Sequence, residues 1–349
     1  MKPGPALLVV GGVASIVVLL VWSLWQVGEP WKGFPEDRVV VTIEPGRPAR
    51  AAAARLHAAG VIRNPVIFRI LLRLRGAEEA IQAGEYEFTG QASPSQVLDR
   101  LVLGDVLKHR LTVPEGLRLQ EIAALIGQQG FGQPDAFLRA AQSVAVIADI
   151  DPQAKDLEGY LFPDTYLFAK GVREDSIVSA MVSRFRAEMT PVRRGRMESL
   201  GLTVRQTVTL ASLIEEEAGA EDERPRIAAV FHNRLRLRMP LQCDPTVVYA
   251  LMRDGRYRGD IYRSDLRYNS PYNTYVNAGL PPGPISNPGR GSLDAALSPA
   301  RTDDLFFVVN GPGRHAFSTN AKDHERAVQR YRRDRDRLEA SGGPSGGSP

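Results

Sequence analysis

One strand–turn–helix pattern occurs twice in this chain, seventy residues apart. Val41-Thr42-Ile43-Glu44-Pro45-Gly46 leads into a helical stretch that closes at Gly60. Leu111-Thr112-Val113-Pro114-Glu115-Gly116 leads into one that closes at Gly130. The glycines hold equivalent positions in the two copies. Each copy reads as a strand, a tight turn and an amphipathic helix with glycine just past its end, where a left-handed residue completes the cap. Between the copies the pattern predicts a helix from about Pro65 to Leu74, a strand from about Gly84 to Phe88 and a helix from about Pro94 to Leu103. That alternation excludes an all-helical or all-strand fold and predicts a small α+β module over residues 39–130. A module of this size can bind a ligand or act as a spacer, and its fold does not decide which.

The N-terminus carries a second constraint. Ala6 to Trp25 is a run of 20 residues without a charge. As a helix it would span about 30 Å, the thickness of a bilayer core. Trp22, Trp25 and Trp31 gather at its far end, where amphipathic rings favour the interface. Gln26-Val27-Gly28-Glu29-Pro30 follows, with no small-residue cleavage site, so residues 6–26 read as an uncleaved transmembrane helix rather than a signal peptide. Lys2 and the N-terminal amine keep residues 1–5 in the cytoplasm and place the remainder outside. Residues 27–38 read as a linker and 336–349 as a disordered tail rich in Gly, Ser and Pro. Residues 131–335 remain for a mixed α+β catalytic domain.

Composition narrows the partners. The net charge is only +4 and the basic residues are interspersed with acids, which argues against nucleic-acid binding. The single cysteine, Cys243, excludes an internal disulfide and a cysteine-based zinc cluster. His232, His315 and His324 lack the tight spacing of a metal motif, so no metal and no cofactor are expected.

Val208 to Gly219 reads as an apolar helix that ends in Glu215, Glu216 and Glu217 and is stopped by Gly219. Read alone, three acids at a helix end are an ordinary solvated run that opposes the helix dipole. A helix turns about 100° per residue, however, so the three point in different directions. With Leu210 at 0°, the apolar arc runs from about 300° through 0° to about 160°; Glu217 lies inside it, Glu215 at its edge, and Glu216 faces water. A carboxyl on an apolar face is desolvated, which raises its pKa, and a carboxylic acid protonated near neutral pH can serve as a general acid. The wheel leaves both Glu217 and Glu215 as candidates.

Downstream, helices are expected from about Asp175 to Thr190 and from Glu223 to Arg238. The turn Met239 to Tyr249 holds two prolines, with Asp244 a plausible N-cap of a helix that starts near Pro245. Tyr268 to Tyr275 and Gly279 to Gly289 are too dense in Tyr, Asn, Gly and Pro to build a core, and suit a rigid cleft whose aromatics and amides meet sugars. Phe306 to Asn310 reads as a strand, followed by Gly313 to Asn320 and a final charged helix.

Six segments together, ASLIEEEAG, AAVFHNRL, MPLQCDPTVVYAL, YNSPYNTYVNAGLPPGPISNPG, DDLFFVV and HAFSTN, resemble the YceG-like (MltG) endolytic murein transglycosylases of bacteria in order and spacing, and the likeness covers most of residues 38–335. Glu216 and Cys243 depart from the family pattern, which often has Lys and Thr or Ser there. The resemblance implies that Glu217, the last acid of an E-x-E, is catalytic, and that part of 39–130 is a LysM-like module. It implies non-hydrolytic cleavage of the MurNAc-β-1,4-GlcNAc bond of nascent glycan strands to 1,6-anhydro ends, terminating strand elongation. It also implies a single-pass anchor in the bacterial inner membrane with a periplasmic domain, and peptidoglycan synthases as partners. Substrate-binding candidates in the matching segments are Gln242, Asp244, Thr246, Tyr249, Asn273, Tyr275, Asn287 and His315. Two alternatives remain at this stage: a hydrolytic muramidase that pairs Glu217 with a second carboxylate such as Asp244, and a non-catalytic wall-binding scaffold for division or elongation.

Overall fold

Residues 27–340 are described in a computed structural model of the chain. The transmembrane helix read over 6–26 and the cytoplasmic tail lie outside the described residues. Among the described residues no helix is long and apolar enough to cross a membrane. The fold is mixed α and β, and it divides into two compact units. The first runs to Arg110 and regains Leu167–Gly171; the second comprises Leu111–Tyr166 and the chain from Val172 onward.

In the first unit, β1 (Val39–Ile43) pairs antiparallel with β2 (Gly84–Phe88), with Val41 opposite Tyr86. Three helices accompany this ribbon: α1 (Ala49–Ala58), α2 (Pro65–Leu74) and α3 (Pro94–Leu103). Their starts follow from local chemistry. The Asn64 side chain accepts from the amides of Val66 and Ile67, and Pro65 occupies the first turn, where its missing N–H costs nothing. Ser93 and Gln96 form a reciprocal capping box at the start of α3. Val41 and Ile43 from alternate positions of β1 join Leu56, Phe68, Leu72, Tyr86 and Leu98 in one core.

The second copy of the repeat does not close the same module. β3 (Lys108–Thr112) pairs with β4 (Thr165–Ala169). The apolar face of α4 (Leu119–Gln128), with Leu119, Ile122 and Ile126 buried, packs against α5 (Pro134–Ala140) within the second unit. The module read as 39–130 is therefore divided after Arg110. The likeness between the copies is local: Gly60 and Gly130 both adopt the left-handed conformation that ends their helices.

The second unit is built on α8 (Val204–Glu217). A capping box between Thr203 and Gln206 starts it, and Thr207 through Ile214 are all buried, so it is enclosed rather than amphipathic. Around it pack α9 (Arg224–Arg236), α10 (Asp244–Arg253) and α11 (Arg290–Leu297). α6 (Glu174–Glu188) and α7 (Pro191–Leu200) precede it. A hairpin of β5 (Phe306–Val309) and β6 (His315–Ser318) pairs Val309 with His315 and leads to α12 (Ala321–Ala340). α12 runs past residue 336, where a disordered tail was expected; 341–349 lie outside the described residues.

Candidate active site

α8 ends at Glu217 because the chain turns extended at Ala218, with φ −82° and ψ 106°. Gly219, read as the residue that stops the helix, does not have a positive φ. Its small size serves a close approach instead: a Cβ there would stand 2.7 Å from Cα of Gly313, in the β5–β6 turn. The helix end and this turn thus meet backbone to backbone. Together with the start of α10 they border a cleft of about 800 Å³, within the range of small-molecule sites. Its walls include Arg118, Glu216, Glu217, Asp244, Tyr257 and His315.

The three acids have three different surroundings. Glu215 is buried away from the cleft and held as a carboxylate partner: Arg224 Nη2 donates to Oε1 at 3.1 Å and the Gly289 amide to Oε2 at 2.9 Å. Glu216 does not face water. Its side chain is only 17% exposed and takes a hydrogen bond from Arg118 Nη2 at 3.2 Å, because residues 116–118 cover that side of the helix. Glu217 opens on the cleft and its pKa is pushed up to about 7, chiefly by burial. Asp244 and Glu216 raise it further by repulsion, while a hydrogen bond from the Cys243 thiol and the charge of Arg234 lower it. Near neutral pH a carboxyl group at this position can both give and accept a proton.

The supporting groups are fixed from behind. Asp244 is the first residue of α10 rather than its N-cap, which is Cys243; its Oδ1 accepts from the Tyr275 hydroxyl at 2.5 Å. His315 Nδ1 lies 2.9 Å from Glu223 Oε2, and the His315 amide donates to Glu223 Oε1 at 3.2 Å, so the ring is locked by an acid that is itself buried. Arg234 donates from Nη1 to the carbonyls of Pro240 and Leu241 and to Gln242 Oε1. It thereby holds the turn in which Gln242 adopts a φ of +52°, a strained value for a residue other than glycine.

Of the residues expected to bind substrate, the structure brings Asp244 and His315 to the Glu217 cleft. Tyr275 reaches it only through Asp244. Gln242 is exposed in the strained turn. Tyr249 is buried against Tyr272, with ring centroids 4.9 Å apart. Thr246, Asn273 and Asn287 are fully enclosed and their polar groups are taken by the protein. Thr246 bonds to Cys243 O and Thr274, and Asn273 donates to the carbonyls of Leu266 and Tyr268. Asn287 accepts from the Leu161 amide and donates to Leu117 O and to Glu158, stitching three segments together. Substrate cannot reach any of the three without rearrangement.

Sequence reasoning missed Arg118, Glu223, Tyr257 and Tyr262 as site residues. Tyr257 and Tyr262 lie on a Gly-containing loop, Gly255 to Tyr262, and form part of the cleft wall. Aromatic residues in such a polar loop were the available signal. Glu158 lies outside the segments singled out from the sequence. It is buried, accepts from the Leu119 amide and Asn287, and burial pushes its carboxyl up to about 8. Among the described residues no group of three His, Cys, Asp or Glu could hold a metal ion. His232 meets Ala296 O, His315 meets Glu223 and His324 stacks on Phe306, in three separate places.

The model of the YceG-like family matches residues 41–330. A protein of Bacillus subtilis (strain 168) named endolytic murein transglycosylase is 33% identical over 319 residues, which cover 87% of each chain. A protein of the same name from Streptococcus pneumoniae D39 is 30% identical over 322 residues, 84% of this chain and 58% of its own length. The crystal structure of a yceG-like protein from Listeria monocytogenes aligns with a TM-score of 0.57 at 32% identity, covering 83% of this chain and 98% of that one.

Proposed function

The chain belongs to the YceG-like family, and from that premise we propose that it is an endolytic lytic transglycosylase acting on peptidoglycan, with Glu217 as its single acid–base group. The observation that carries the assignment to Glu217 is a carboxyl pushed up to about 7 at the wall of a cleft of about 800 Å³. Protonated Glu217 gives its proton to the glycosidic oxygen as the C1–O bond of the muramic acid breaks, leaving an oxocarbenium-like ring. The Glu217 carboxylate then takes the proton of the muramoyl C6 hydroxyl while O6 bonds to C1. The products are a free 4-hydroxyl on one fragment and a 1,6-anhydro end on the other, and Glu217 is again protonated. General acid–base action contributes about 10²–10⁴-fold, and positioning in the cleft must contribute most of the rest.

Asp244, His315 and Arg118 border the space next to Glu217 and are the groups we assign to substrate contact. Tyr257 and Tyr262 offer faces for sugar rings. The finer reading includes a single-pass anchor over 6–26 in the inner membrane, supported by the uncharged run and its tryptophans, and a periplasmic catalytic unit. It also includes a LysM-like first unit, synthases as partners, and cutting of nascent strands to end their elongation. A second reading has one specific observation in its favour. Asp244 shares the cleft and lies close enough to raise the Glu217 pKa, so it could activate water and make the enzyme a hydrolase.

Glu217→Gln tests the assignment. The variant should fold, bind glycan and release no anhydro-ended fragments from purified strands. Wild-type turnover in that variant would remove Glu217 from the chemistry.

A further inference from the structure

The segments Tyr268 to Tyr275 and Gly279 to Gly289 were expected to wall the sugar cleft, yet no residue of either lines the space around Glu217. Asn269, Ser270, Tyr272 and Gly283 instead line a separate pocket of about 250 Å³, together with Lys155, Arg205 and Arg253. Between it and the Glu217 cleft lies a hollow of about 510 Å³. That hollow shares Arg118 and Tyr257 with the cleft, and Asp156, Glu158 and Arg253 with the pocket. All three lie within the second unit and adjoin in one series.

Two cations that line the end pocket, Arg253 and Lys155, make no salt bridge among the described residues. The Arg253 guanidinium lies over the Tyr272 ring, 5.2 Å from the centroid. Lys155 is exposed and has no partner among the described residues. Arg205 is held by Pro282 O and Asp151, which direct its head, and its Nη2 faces Gly283. A Cβ at Gly283 would stand 3.5 Å from that nitrogen and 3.4 Å from the Tyr272 hydroxyl, so the glycine keeps the floor open. Two aspartates line the same pocket, and each accepts a hydrogen bond from a neutral donor. Asp156 accepts from the Glu158 amide and Asp254 from the Tyr268 hydroxyl, while burial pushes the Glu158 carboxyl up to about 8.

We propose that this pocket is a subsite for the acidic stem peptide of a muramic acid lying along the groove from the cleavage point, with Arg253 and Lys155 receiving its free carboxylates. The proposal rests on the reading of the chain as an enzyme of peptidoglycan. Each muramic acid carries its peptide on the lactyl group, so a strand held at Glu217 presents peptides at intervals along the groove. A guanidinium backed by an aromatic face and an ammonium at the rim are suited to carboxylates through charge-assisted hydrogen bonds.

The test is binding of the tripeptide L-alanyl-γ-D-glutamyl-L-lysine to the full chain, followed by calorimetry, beside the same peptide with its carboxylates amidated. The acidic peptide should bind at least about tenfold more tightly than the amidated one, and Arg253→Gln should remove that preference. Lys155→Glu, at an exposed position that cannot unfold the chain, should weaken the acidic peptide alone. Equal binding of the two peptides, or unchanged binding in Lys155→Glu, overturns the proposal. Cleavage is not needed for this measurement. Absence of anhydro products from wild-type enzyme would refute the assigned reaction and leave the peptide result to stand or fall separately.

Discussion

Gly219 and Gly313 touch backbone to backbone, so that a Cβ on Gly219 would meet Cα and O of Gly313 at 2.7 Å. This contact joins the end of α8, which carries Glu217, to the turn before His315. Gly219→Ala must push the two apart. The expected result is a loss of about 1–3 kcal/mol in stability and a fall in kcat of about 10²-fold, since a shift of about 1 Å at a reacting group costs that much. Chemical denaturation and turnover on isolated glycan strands check both. Wild-type turnover would show that the approach is not needed.

The pKa of Glu217 sets two pH dependences. As general acid it must be protonated, so kcat/KM should fall as pH rises through about 7. Its folded pKa lies above the ordinary 4.5, so the native state holds more protons than the unfolded state between those values. Stability therefore falls as pH rises from about 4.5 to about 7, and the cost is fully present above that. Glu217→Gln should remove this cost and stabilise the protein at pH 8 by on the order of 3 kcal/mol, with little gain at pH 4. Thermal melts of the two proteins at both pH values measure it. A variant no more stable at pH 8 than wild type would contradict the burial of this carboxyl.

The helical wheel turned Glu216 to water, where Glu216→Gln would be silent. The structure gives it an effect: Glu216 repels the Glu217 carboxylate, so its removal should lower the Glu217 pKa and move the alkaline limb of the pH–rate profile to lower pH. At pH 6 the activity should change little. An unmoved alkaline limb would mean that Arg118 already cancels the charge of Glu216.

Asn287→Ala should act on folding, not on substrate affinity. It strands the Leu161 amide in the interior and removes one of the bonds to the Leu117 carbonyl and to the Glu158 carboxyl, and should cost about 1–3 kcal/mol. KM of the folded fraction should stay at the wild-type value. A raised KM with unchanged stability would return Asn287 to the substrate site.

Local pattern was the most legible part of the fold. α2, β2 and α3 lie where periodicity and the Asn-Pro and Ser-Pro starts put them, because their signals come from residues within a few positions of each other. The wheel placed Glu217 correctly on a shielded face but misjudged Glu216, since a wheel knows only its own helix and not the loop that brings Arg118 over it. Polar residues in Asn-, Tyr- and Pro-rich loops were read as surface. Asn273, Thr246 and Asn287 bond instead to nearby backbone groups and to the side chains of Thr274 and Glu158, and sequence does not distinguish a polar group kept for substrate from one consumed by the fold. Gly219 was rightly seen as a constraint, but its reason lies in a residue 94 positions away, and only tertiary structure reveals it.

The account stands most directly on the fate of water at the cut bond. Defined, uncrosslinked glycan strands digested in ¹⁸O-labelled water and analysed by mass spectrometry give the answer in one spectrum. Muramic acid ends in the 1,6-anhydro form, each one water lighter than a reducing end and free of label, are the predicted result. Reducing ends that carry ¹⁸O would mean that Glu217 works with a water-activating partner such as Asp244, and the single-carboxyl mechanism would be wrong.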